Sequence, residues 1–93
     1  MADDDREPFE MPIDGTLDLH AFRPQDVKDL VPEWLEACHA RGLVEVRIIH
    51  GKGTGAQRRT VHAIASLHPA VIDVRLAGDR GSWGATIVRL RRR

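Results

Sequence analysis

The stretch Val44-Glu45-Val46-Arg47-Ile48-Ile49-His50-Gly51-Lys52-Gly53-Thr54-Gly55-Ala56 decides the fold, because a β-branched run ends at a histidine and gives way at once to glycines. Val44, Val46, Ile48 and Ile49 read as a buried strand. A helix follows from about Ala56 to Leu67, with Val61, Ile64 and Leu67 expected to face inward and Pro69 to stop it. Glycines between a strand and a helix let backbone amides approach an anion, and the helix N-terminus adds partial positive charge. The segment His50-Gly51-Lys52-Gly53-Thr54-Gly55 is therefore a candidate phosphate site, with Lys52, Arg58 and Arg59 bringing full charges to the same corner. The turn is not a Walker loop, since Ala56 and Gln57 stand where a lysine followed by serine or threonine is required. Nor does it match the dinucleotide fingerprint. A glycine-rich turn needed only for its geometry is the competing explanation.

The flanking segments supply the rest of the architecture. Towards the N-terminus, Leu17 and Leu19 alternate with Asp18 and His20, the period of a short strand with one buried face, so Asp18 and His20 should project from the same side. Val27, Leu30, Val31, Trp34, Leu35 and Cys38 recur at helical spacing, opened by Pro24 and closed by Gly42. Pro32 removes a backbone donor within that pattern, which predicts either a kink or a helix beginning near Pro32. Towards the C-terminus, Ala70 to Ala77 and Ala85 to Leu90 read as strands joined by Gly78-Asp79-Arg80-Gly81-Ser82-Trp83-Gly84. The order is that of an α/β fold, a two-layer β-α-β-α-β-β sandwich with a mixed four-stranded sheet, two helices and a final antiparallel hairpin. Ligands on such sheets gather beyond the strands' C-terminal ends, where both His20 and His50 lie.

Length and charge narrow the function. A chain of 93 residues has one core, and a domain of this size has a shallow working surface. No apolar run approaches the roughly 20 residues that span a bilayer. The start, Met1-Ala2-Asp3-Asp4-Asp5-Arg6-Glu7, is acidic where an export signal is basic and then apolar. Cys38 cannot pair internally and suits a reducing, cytoplasmic setting; at an apolar helix position it reads as core. The formal net charge of zero conceals a division: residues 1–14 hold six acids and one base, leaving 13 bases and eight acids in residues 15–93, a net of +5. Residues 1–14 read as a flexible acidic leader, able to fold back and compete with a polyanion, and residues 15–93 as the folded domain. Arg89, Arg91, Arg92 and Arg93 give that domain a basic tail, either a phosphate-neutralising cluster or a solvated end.

Two further features bear on chemistry. Asp18 and His20 supply a carboxylate and an imidazole at a strand end, enough to orient a general base, to ligate a metal or to form a plain structural pair. Trp83, in a loop between strands, can stack on an exposed base or cover the sheet edge. His39, His62 and His68 fall on helices without partners at metal-ligand spacing and read as surface or helix-end residues outside the site.

Taken together and in order, Leu17-Asp18-Leu19-His20, Ile48-Ile49-His50-Gly51-Lys52-Gly53-Thr54-Gly55 and Gly81-Ser82-Trp83-Gly84-Ala85-Thr86-Ile87-Val88 resemble the three signature stretches of the Smr (small MutS-related) domain. The resemblance covers residues 15–90 and is to the short bacterial stand-alone members in particular. It implies the same fold order and nicking endonuclease activity on DNA, with RNA cleavage in some members. It marks Asp18 and His20 as catalytic, and His50, Gly51, Lys52, Gly53 and Gly55 as phosphate contacts. On that footing His20 is expected to act as general base and Asp18 to orient it or hold a Mg or Mn ion. Lys52 and helix amides would clamp the phosphate, and His50 would serve as acid or phosphate donor. The alternatives are a non-catalytic module recognising branched, structured or single-stranded DNA or RNA, and a domain binding a phosphometabolite or another protein. A protein partner could supply targeting.

Overall fold

The computed structural model describes residues 13–51, 55–78 and 84–93. Strand β1 (Thr16–Asp18) leads through two short turns of 3-10 helix, Leu19–Ala21 and Pro24–Asp26, to helix α1 (Val27–Ala40). Strand β2 (Glu45–Ile49), helix α2 (Ala56–Ser66) and the strands β3 (Val71–Leu76) and β4 (Ala85–Leu90) complete the chain. The strands form one sheet in the order β1-β2-β4-β3. β1 runs parallel to β2, with Leu17 opposite Ile48, and β4 is antiparallel to both β2 and β3. The expected mixed four-stranded α/β fold is what forms, with the last strand inserted between β2 and β3.

One face of the sheet and both helices share the core. Leu17, Val46, Ile48, Val88 and Leu90 pack with Val27, Val31, Trp34, Leu35 and Cys38 of α1 and with Val61 and Ala65 of α2. Ile13, within the stretch read as leader, also packs there. The rest of the leader, residues 1–12, together with Lys52, Gly53, Thr54 and Trp83, lies outside the described residues.

Four expectations are corrected. β1 stops at Asp18 because the Asp18 carboxylate accepts the His20 backbone N–H at 2.9 Å; this local turn withdraws His20 from the strand. α1 neither waits for nor ends at Pro32, which lies inside it. Only one helical hydrogen bond is lost there, against the burial of Val27, Val31, Trp34, Leu35 and Cys38. α2 ends at Ser66, so Leu67 turns outward and is 84% exposed while Ala65 takes the inward position. Val44 precedes β2 and is exposed, although its carbonyl accepts the Leu90 N–H.

Candidate functional site

Asp18 and His20 stand on the turn that ends β1. The Asp18 Oδ1 lies 2.8 Å from His20 Nδ1 and also accepts the His20 N–H. These two bonds from His20 hold the Asp18 carboxyl below its usual value of 3.8. A carboxylate can only accept, so Nδ1 carries the proton and Nε2 of the neutral ring keeps its lone pair. That Nε2 faces Gly51: a Cβ on Gly51 would sit 3.0 Å from it. With φ at +86°, Gly51 also holds a left-handed conformation that other residues enter at a cost. The two sequence motifs therefore meet at one point, the His20 ring against the first glycine of the loop.

The loop is anchored from the far side by β4. The N–H groups of His50 and Gly51 both donate to the Gly84 carbonyl, at 2.7 and 2.8 Å. A Cβ on Gly84 would stand 3.0 Å from the Gly51 backbone, so this approach requires glycine at 84. At the other end of the loop, Gly55 with φ of +89° precedes α2. A Cβ there would meet guanidinium nitrogens of Arg58 and Arg59 at 3.1 and 3.3 Å. Two cations folded over a helix N-terminus are poorly placed for the helix itself and well placed for an anion.

His50 differs from its expected role. It is only 6% exposed, and both ring nitrogens are engaged inside the protein: Nδ1 with the Gly51 carbonyl at 2.9 Å and Nε2 with the Thr86 hydroxyl at 2.8 Å. The same Thr86 oxygen lies 2.8 Å from His62 Nε2. His62, read from the sequence as a surface or helix-end residue, is thus joined to the site, as is Thr86, which the sequence reading passes over. The signal for Thr86 was present, since it is the polar residue in the inward phase of β4, alongside Val88 and Leu90. The signal for His62 was absent, because its partner is 24 residues away. His68 binds the Ala70 N–H as a helix-end residue, and His39 enters none of these contacts.

The Asp18 oxygen that binds His20 is shared with a backbone donor, and no three His, Cys, Asp or Glu side chains converge among the described residues. These donors do not fit a Mg or Mn ion by themselves, and no step below is routed through one. The sheet's open face carries a shallow groove of about 300 Å³ lined by Val44, Glu45, Ile72, Arg75, Arg89, Leu90 and Arg92. There Arg75 is paired with Glu45 and Asp73, so its charge is partly answered locally.

The family model of the Smr domain matches residues 17–91. The endonuclease MutS2 of Halothermothrix orenii is 36% identical over 80 residues, covering 85% of this chain and 10% of that protein. That of Solidesulfovibrio magneticus is 37% identical over 76 residues, covering 81% of this chain and 10% of that protein. The chain thus spans about a tenth of the length of these relatives. Among solved structures, the Smr domain of Thermus thermophilus MutS2 aligns with a TM-score of 0.73 at 30% identity, covering 84% of this chain and 99% of that one. YdaL, a stand-alone small MutS-related protein from Escherichia coli, aligns with a TM-score of 0.67 at 25% identity, covering 84% and 65% respectively.

Proposed function

The chain belongs to the Smr domain family, and from that premise we propose that it binds DNA or RNA and nicks one strand by phosphodiester cleavage. The observation that carries this reading is the Asp18-oriented His20 whose unprotonated Nε2 faces Gly51 at one end of the loop, with the guanidinium groups of Arg58 and Arg59 over Gly55 at the other. His20 Nε2 takes the proton of the attacking oxygen, which is water or, on RNA, the 2′-hydroxyl. Asp18 holds the ring and stabilises the imidazolium that forms. Arg58 and Arg59, with Lys52 and the amides of the glycine loop, hold the phosphate and answer the charge that builds on it. The imidazolium can then return its proton to the leaving oxygen. His50 acts from beneath the loop.

A second reading, recognition of branched or structured nucleic acid without cleavage, is favoured by one observation: both His50 nitrogens are occupied, which leaves His20 as the one histidine of the two free to exchange protons with a substrate. Trp83 would then contribute by stacking on a base. Both readings place the chain in the cytoplasm, with targeting left to a partner protein.

The test compares the wild-type chain with Asp18→Ala/His20→Ala on supercoiled DNA, branched DNA and structured RNA, each with Mg²⁺, Mn²⁺ or EDTA. Nicking that falls by about 10²- to 10⁴-fold in the variant while binding persists is the expected result. Salt-sensitive binding with no cleavage under any condition would overturn the catalytic reading in favour of recognition.

A further inference from the structure

Hydrogen-bond chemistry assigns a direction to the chain of contacts behind the glycine loop. A carbonyl only accepts, so the His50 nitrogen that meets the Gly51 oxygen, Nδ1, carries a proton. In the neutral ring Nε2 is then a bare acceptor, and the Thr86 hydroxyl donates to it. Thr86 has spent its one proton, so the contact with His62 requires His62 Nε2–H to donate to the Thr86 oxygen. One ordered sequence results: His62 Nε2–H to Thr86 Oγ1, Thr86 Oγ1–H to His50 Nε2, His50 Nδ1–H to the Gly51 carbonyl.

We propose that Thr86 and His62 are positioning residues of the nucleic-acid site, acting through the tautomer of His50. Thr86 is fully buried and His50 nearly so, which makes these two costly to leave unpaired. By fixing the proton on His50 Nδ1, they turn the Gly51 carbonyl towards the interior. A carbonyl held there keeps its negative end away from a bound phosphate, and the glycine beneath His20 stays in its left-handed conformation. The chain spans β4, α2 and the end of β2, so the helix that carries Arg58 and Arg59 is registered to the loop by a polar contact as well as by packing. This inference rests on the phosphate-binding reading of the loop for its function, though not for its geometry.

The test has two parts on the full chain. First, the ring-nitrogen resonances of His50 and His62 are assigned by long-range ¹H–¹⁵N correlation at a pH where both rings are neutral. The expected pattern is His50 protonated on Nδ1 and His62 on Nε2; a His50 proton on Nε2 overturns the proposal. Second, Thr86→Val and Thr86→Ser are compared in binding a labelled branched DNA and a labelled RNA hairpin. Thr86→Val should lose the His50 signature and bind about 3- to 10-fold more weakly, as expected for one buried hydrogen bond, while Thr86→Ser restores both. Thr86→Val with unchanged tautomer and affinity also overturns it. If Thr86→Val does not fold, His62→Leu against His62→Gln, whose amide can still donate, makes the same comparison. A wild-type chain that binds neither probe would sink the functional reading, whereas the tautomer pattern would still decide whether Thr86 and His62 set the loop.

Discussion

His62 shows how one residue's environment becomes a property of the protein. Burial, with the nearby charges of His50 and Arg58, makes this ring harder to protonate than a free imidazole, whose usual value is 6.5. The unfolded chain therefore binds a proton at this position more readily than the folded one. The contribution of neutral His62 to stability is complete above pH 6.5 and is lost as pH falls through that value towards the lowered folded one. Denaturation midpoints measured at pH 7.5 and 5.0 should differ more for the wild type than for His62→Gln, which keeps a donor for Thr86 and does not titrate. An equal pH sensitivity in both would show that another group carries it. Asp18 and His20 were readable as a pair because a single residue, Leu19, separates them. The free face of His20 was not, because the residue that it meets is Gly51.

At the scale of elements, α1 shows packing overruling a local preference. Pro32 within the helix argues for a break, yet the fully buried faces of Val27, Val31, Trp34, Leu35 and Cys38 gain more by staying in one continuous helix. Cys38 records that burial: desolvation, with Asp14 adding to it, pushes its thiol up to about 12. Native protein at pH 8 should resist iodoacetamide, and alkylation should proceed on addition of denaturant, at a rate set by opening of α1. Rapid modification of the native chain, followed by mass spectrometry, would contradict the position of that helix. β4 is the complementary case. Its extent was legible as a strand, whereas its place between β2 and β3 depends on long-range pairing with both.

Over the whole molecule, charge is divided more sharply than the net value indicates. Residues 1–10 hold five acids and one base, while the chain as a whole is neutral, so removing them leaves a domain with a net charge of +4. Deleting residues 1–10 should tighten nucleic-acid binding at low salt, and the gain should shrink as added salt screens it. Titrations of a labelled oligonucleotide across salt concentrations check this; an unchanged or weakened affinity at low salt would remove the acidic segment from any competing role. The sequence by itself determined the α/β order, the apolar faces of the helices and the glycine-rich turn, because periodicity and backbone freedom act within a few residues. It also identified Asp18, His20 and the basic corner as candidates. Only the tertiary structure decided that His20 lies against Gly51, that His50 is turned inward and that His62 reaches it through Thr86. Those contacts join β1 to the loop after β2, and β4 to α2, so they exist only once the sheet has closed and the helices have packed on it.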